Sequence, residues 1–212
     1  MMIYRDRKHA GEMLAKALAD QAGPEVVVVG LPRGGVPVAY EVARALGAPL
    51  DVFVVRKLGV PFQPELAMGA IASGGVLVRN ENVLRLVPDP DASLELVRRR
   101  EQAVLEERER QYRGQRPALD VAGRKVIVVD DGLATGSTMK AAVQALKAGG
   151  ASSVVVAVPV GPPDTCRELK RLADVVVCLQ TPVLFSAVGQ WYEDFGQTRD
   201  EEVGRLLAAT AA

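Results

Sequence analysis

The chain has few of the residues that most often do chemistry alone. His9 is the only histidine in 212 residues. A hydrolase triad centred on histidine is therefore excluded in its usual form. His9 stands at the start of a helical pattern and reads as a surface or satisfied helix residue. Cys166 and Cys178 are the only cysteines. They are too few for a disulfide framework and make no CxxC or Cys/His spacing for zinc, so free thiols in a reducing compartment are expected. Aromatic residues are only 4% of the chain, which calls for an aliphatic core. Net charge is zero and the isoelectric point is near 6.6. A dedicated nucleic-acid or anionic-membrane surface needs clustered excess Lys and Arg, so neither partner is expected. Residues 1–7 lack the apolar run of a signal peptide, and no apolar run exceeds strand length, so no membrane span and a cytoplasmic location are expected.

Aliphatic residues are plentiful. Hydrophobic residues make up 49% of the chain, ample for the core of one α/β domain. Short β-branched runs near 25–30, 50–55, 125–130, 153–158 and 174–179 alternate with helical patterns. Such runs read as strands buried on both faces. The alternation predicts a doubly wound, mostly parallel five-stranded sheet with helices on both faces. Asp6 is expected to cap a first helix over 7–21. A hairpin turn is expected at Ser73-Gly74-Gly75.

The most informative stretch runs from Val126 to Thr138 (VIVVDDGLATGST). Four aliphatic residues lead to Asp130 and Asp131, then to a run of small and hydroxyl residues, then to a helix. Backbone N–H groups of such a turn, aided by the helix dipole, make an anion site. The acid pair beside it can accept hydroxyl hydrogen bonds or hold a hydrated cation. A sugar 5-phosphate with free cis hydroxyls satisfies both halves. A second strand-to-helix loop, Leu31-Pro32-Arg33-Gly34-Gly35, offers close backbone approach and a fixed positive charge. Arg56 and Lys57 follow the expected strand at 50–55, and two cations there suit a polyanionic leaving group.

The stretch 126–138 resembles the phosphoribosyl-diphosphate (PRPP) motif of type I phosphoribosyltransferases. The resemblance covers roughly 25–180, with a charged helical insertion near 88–118 and a C-terminal hood over 181–212, all in a single domain spanning 1–212. It implies a magnesium-dependent enzyme that moves the 5-phosphoribosyl group of PRPP to a nucleobase-like small-molecule acceptor. Ala134, Thr135, Gly136, Ser137 and Thr138 would hold the 5-phosphate. Asp130 and Asp131 would contact the ribose hydroxyls and hold Mg2+, partly through water. Arg33, Gly34, Gly35, Arg56 and Lys57 would hold the diphosphate. Asp130, Asp131 and Lys57 form the implied catalytic set. Oxopurine-type members carry an aspartate where this chain has Ala134. The loop is most like adenine-type members, which disfavours hypoxanthine and guanine as acceptors without establishing adenine.

The remaining segments are less specific. The helix expected over 93–113 is rich in opposite charges at helical spacing, and suits an insertion beside the site or the contact of a homo-dimer. Glu65 is an acid in the region where relatives carry a mobile loop, and it could serve as a base. Phe185, Trp191, Tyr192 and Phe195 could stack on an acceptor or pack the hood, with packing favoured for Phe195. Two rival functions stand beside the enzyme. One is a PRPP-sensing regulator without turnover. The other is a phosphoacceptor signalling domain, disfavoured because its acid pair should lie near the chain start.

Overall fold

The structure is a computed structural model in which residues 2–210 are described. Five β-branched runs form β1 (Val26–Gly30), β2 (Leu50–Val52), β6 (Lys125–Val129), β7 (Ser153–Val160) and β8 (Val175–Gln180). They make one parallel sheet in the order β2-β1-β6-β7-β8. Register is fixed by pairs such as Val28 with Leu50 and Ile127 with Val155.

Both faces of this sheet are covered, which is why its strands are apolar throughout. On one face Val28, Ile127, Val129 and Val155 pack against α1 (Arg7–Ala17) and α2 (Gly35–Leu46) through Leu14, Val38 and Val42. On the other, Val27, Val29, Val126, Val128 and Val156 meet Met139, Val143 and Leu146 of α5 (Ser137–Ala148). Each fully buried Val or Ile contributes about 1.5–3 kcal/mol of apolar burial before entropy is counted. α6 (Pro163–Leu169) links β7 to β8.

The strand expected over 50–55 divides. β2 stops at Val52: its ladder with β1 ends where Phe53 N–H donates to Gly30 O at 3.0 Å, and the next N–H, that of Val54, donates instead to Ser73 Oγ at 2.9 Å. The chain resumes as β3 (Val55–Val60), which pairs antiparallel with β4 (Gln63–Ala72), and β4 pairs with β5 (Val76–Arg79). The expected turn at 73–75 joins β4 to β5. Arg56 and Lys57 thus lie on the first strand of a separate three-stranded sheet.

After α3 (Glu81–Leu84) comes the charged helix α4 (Pro90–Arg113). Its buried seam contains Leu94, Val97, Leu105 and Tyr112, whereas Val104 is exposed. Polar pins hold α4 in place. Arg113 Nε donates to both carboxylate oxygens of Asp51 at 2.8 Å, deep in the structure. Tyr112 Oη donates to Asp200 at 2.9 Å at the start of α7 (Asp200–Ala209).

The two ends of the chain meet. Tyr4 N–H donates to Trp191 O at 2.9 Å, and Glu193 N–H donates to Tyr4 O at 2.8 Å. Asp6 caps α1 through His9 N–H at 2.7 Å. His9 itself accepts from Arg5 N–H, the satisfied role expected of it. Among the described residues no helix is long and apolar enough to cross a membrane.

Candidate functional site

β1 and β6 are neighbours, yet the chain leaves them in opposite directions: β2 lies outside β1, and β7 and β8 lie beyond β6. Their carboxyl ends therefore flank the topological switch point, where open α/β sheets leave a crevice. Both loops singled out from the sequence start there.

The loop after β6 carries Asp130 and Asp131 and ends at the first turn of α5. It lines a cavity of about 180 Å³ with Asp130, Gly132 to Met139, and Val188. Thr165 Oγ1 supports it from α6 by donating to Ala134 O at 3.2 Å. Thr135 Oγ1 donates to Ser137 Oγ at 3.2 Å. Across the mouth, Lys57 Nζ donates to Ser137 Oγ at 3.1 Å. A turn of small and hydroxyl residues and a helix start line this small space, and the Lys57 ammonium reaches Ser137 at its edge; such a turn and helix start suit an anion.

The loop after β1 interlocks with it. Leu31 N–H donates to Val129 O at 2.9 Å. A Cβ on Gly34 would stand 2.1 Å from Asp131 Oδ2, and one on Gly35 would stand 2.7 Å from Val129 O. Glycine is required at Gly35 because the loops pass at backbone distance, and at Gly34 because the Asp131 carboxylate fills the space. The Pro32–Arg33 peptide is cis. Arg33 Nη1 lies 3.9 Å from Asp200 Oδ2.

Arg56 and Lys57 part company, as strand neighbours must. Lys57 reaches the β6–α5 loop. Arg56 turns to α4, where Nε and Nη2 both donate to Glu101 Oε2 at 2.9 and 2.5 Å. Burial raises the Glu101 carboxyl, but Arg56 and Arg100 together outweigh it and the net shift is downward. The structure thus brings Asp130, Asp131, Gly34, Gly35, Lys57 and residues 134–138 together. Arg56 instead ties the hairpin to the helix.

Electrostatics single out the acid pair. Burial first, then the charge of Asp131, pushes the Asp130 carboxyl well above the ordinary carboxylate range. Burial also raises Asp131, against the pull of Arg7. Asp130 Oδ1 accepts from Asp131 N–H at 2.9 Å, and Asp131 Oδ2 accepts from Arg7 Nε at 2.8 Å. Asp130 Oδ2 and Asp131 Oδ1 take no hydrogen bond from protein among the described residues. Two acceptors on adjacent acids match the two donors of a vicinal diol. No cluster of three or more His, Cys, Asp or Glu capable of holding a metal occurs among the described residues.

Sequence reasoning missed Arg7 and the role of Tyr192. Tyr192 Oη donates to Asp131 O at 2.6 Å, and burial raises the phenol so that it stays a donor. Trp191 is buried with its indole N–H unpartnered, and its ring stacks on Phe185 at 6.4 Å. Phe195 packs on Tyr192 at 5.0 Å, and the Arg7 guanidinium sits 4.0 Å above its ring. No local signal marks Arg7, because its partner is 124 positions away. Glu65 is exposed on β4.

A doubly wound parallel sheet with a small-residue loop and an acid pair at its switch point defines an open α/β protein whose candidate site lies at the carboxyl edge of the sheet. The sequence profile of the family described as "Phosphoribosyl transferase domain" matches residues 3–194, and the chain belongs to that family. It is 53% identical over 207 residues to a Mycobacterium tuberculosis H37Rv protein named "Putative phosphoribosyl transferase Rv0571c", covering 98% of this chain and 47% of that one. The same figures hold for the protein of that type from the CDC 1551 strain. The chain therefore spans about half the length of the curated relatives it matches. Among solved structures, TT1426 from Thermus thermophilus is 48% identical, covers both chains fully and superposes with a TM-score of 0.91.

Proposed function

We propose that this protein transfers the 5-phosphoribosyl group of PRPP to a nitrogen of a nucleobase-like acceptor and releases diphosphate. The observation that carries this reading is the convergence at one switch point of an anion loop, two free carboxylate oxygens and a glycine loop interlocked with them. Residues 134–138 hold the 5-phosphate through backbone N–H groups and hydroxyls. Asp130 Oδ2 and Asp131 Oδ1 accept the two ribose hydroxyls. The backbone at Gly34 and Gly35, with Lys57, holds the diphosphate. Arg56 acts at one remove, by fixing the strand that carries Lys57.

In the reaction the bond from ribose C1 to the diphosphate oxygen breaks with its electron pair leaving on diphosphate. A bond from the acceptor nitrogen to C1 forms, and the proton of that nitrogen passes to the departing diphosphate. Positive charge grows on the sugar and negative charge on the leaving group. Placed charges stabilise both without a nucleophile from the protein. The acids serve the sugar side and Lys57 the leaving side. Two carboxylates fit a magnesium ion that keeps several waters and takes its other ligands from substrate phosphates. When bound, Mg2+ would neutralise charge on the departing diphosphate. Ala134 leaves no acid to handle an oxopurine proton, so adenine-like or other acceptors are favoured over hypoxanthine and guanine.

The test is calorimetric titration with Mg-PRPP, followed by a diphosphate-release assay across a panel of bases and amines. Release with one acceptor supports the transferase and names its substrate. Binding without release from any acceptor favours a PRPP-sensing regulator.

A further inference from the structure

Arg7 lies outside every motif of the sequence, yet it holds one of the two acids at the centre of the site. Its Nε–H donates to Asp131 Oδ2 at 2.8 Å and its Nη1 to Gly196 O at 2.6 Å. One face of the guanidinium is covered by Phe195 at 4.0 Å. The side chains of Arg7 and Asp131 are 13% and 15% exposed. Arg7 Nε also lies only 3.3 Å from where a Cβ of Gly34 would stand. The residue therefore fills the seam between the two loops. Nε, Nη1 and one face are engaged, whereas the Nη2 donors make no hydrogen bond among the described residues; swinging out as a ligand for diphosphate would break both bonds and the ring contact. Tyr192, from the same C-terminal segment, holds the backbone O of Asp131 at 2.6 Å.

We propose that Arg7 is a positioning residue for ribose recognition: clamped by Phe195 and Gly196, it occupies Asp131 Oδ2 and so turns Asp131 Oδ1 toward the sugar. This rests on the reading that the acid pair binds the ribose hydroxyls. A carboxylate can rotate, and a free Asp131 would spread its acceptors over several directions. A guanidinium on one oxygen fixes the other. The hood and the N-terminal helix thereby act on the sugar site without touching the sugar.

The test uses ribose 5-phosphate, 2-deoxyribose 5-phosphate and inorganic diphosphate, each titrated into the full chain by calorimetry. The wild type comes first. If it binds the two sugars equally, the ribose reading itself fails and the inference falls with it. If it prefers ribose 5-phosphate, Arg7→Ala should weaken that ligand about tenfold, as expected for loss of a charged hydrogen bond. The preference over the deoxy sugar should shrink toward one, while diphosphate affinity stays within about twofold. Arg7→Lys should recover part of the preference, and Phe195→Leu should lose part of it. Fluorescence of Trp191, the only tryptophan, reports whether the hood still packs. Equal weakening of all three ligands, or an unchanged preference in Arg7→Ala, would overturn the positioning role.

Discussion

The two regions that meet at the site are built on different principles. The paired loops after β1 and β6 are held by backbone approach: Gly34 abuts Asp131, and Gly35 abuts Val129 O. The hairpin sheet and α4 are held by ion pairs, Arg113 with Asp51 and Arg56 with Glu101. Interlocked backbone leaves no room for another side chain, so substitutions there should damage ligand binding first. Ion pairs between separate elements bear on stability, so substitutions there should damage folding first. On the proposed reading, the acid pair stands on the least adjustable part of the chain and Lys57 on a more adjustable one.

The sharpest way to break this contrast is Arg113→Met. It leaves the Asp51 carboxylate buried without its cation, and such losses cost about 3–5 kcal/mol. Urea unfolding should show that drop while Mg-PRPP affinity of the remaining folded protein stays close to wild type. Affinity lost in proportion to stability would mean that the two regions are one cooperative site.

Gly34→Ala should do the reverse. Its Cβ would displace Asp131 Oδ2, which Arg7 holds in place. A displacement on the scale of an ångström can weaken function about a hundredfold, and calorimetry with Mg-PRPP reads it directly. Near-normal affinity would show that the loops are looser than their spacing indicates.

Lys57 and Arg56 make a finer comparison, since they are neighbours on one strand with opposite duties. Lys57→Ala should weaken inorganic diphosphate about tenfold, the scale of one charged contact, with little change in melting temperature. Arg56→Met should lower stability by about 1 kcal/mol, the upper range for a partly exposed pair, and leave diphosphate within about threefold. The opposite pattern would put Arg56 in the diphosphate site.

The parallel sheet was legible because each of its strands is a β-branched run, and burial on both faces demands such runs. The placement of the loop 130–138 and of the glycines at 34 and 35 at one sheet edge was legible because both follow strand runs and close approach needs glycine. The division after Val52 was not. Leu50 to Val55 is apolar apart from Asp51, and only the distant Ser73 hydroxyl, bonded by Val54 N–H, draws the backbone off the sheet. Arg56 and Lys57 could be read as a basic pair, but not as facing opposite ways once the strand carrying them changed sheets. Asp6 announced the start of α1, yet nothing near Arg7 announced Asp131 as its partner. The hood stayed opaque for the same reason: its order comes from Tyr4 meeting Trp191 across almost the whole chain.

The central claim is that the acid pair beside residues 134–138 recognises PRPP. Calorimetric titration of Mg-PRPP into the wild type and into the Asp130→Asn, Asp131→Asn double variant tests it most directly. The account predicts saturable binding by the wild type and its loss in the folded double variant. Equal affinity of the two proteins, or no binding by the wild type, would contradict it.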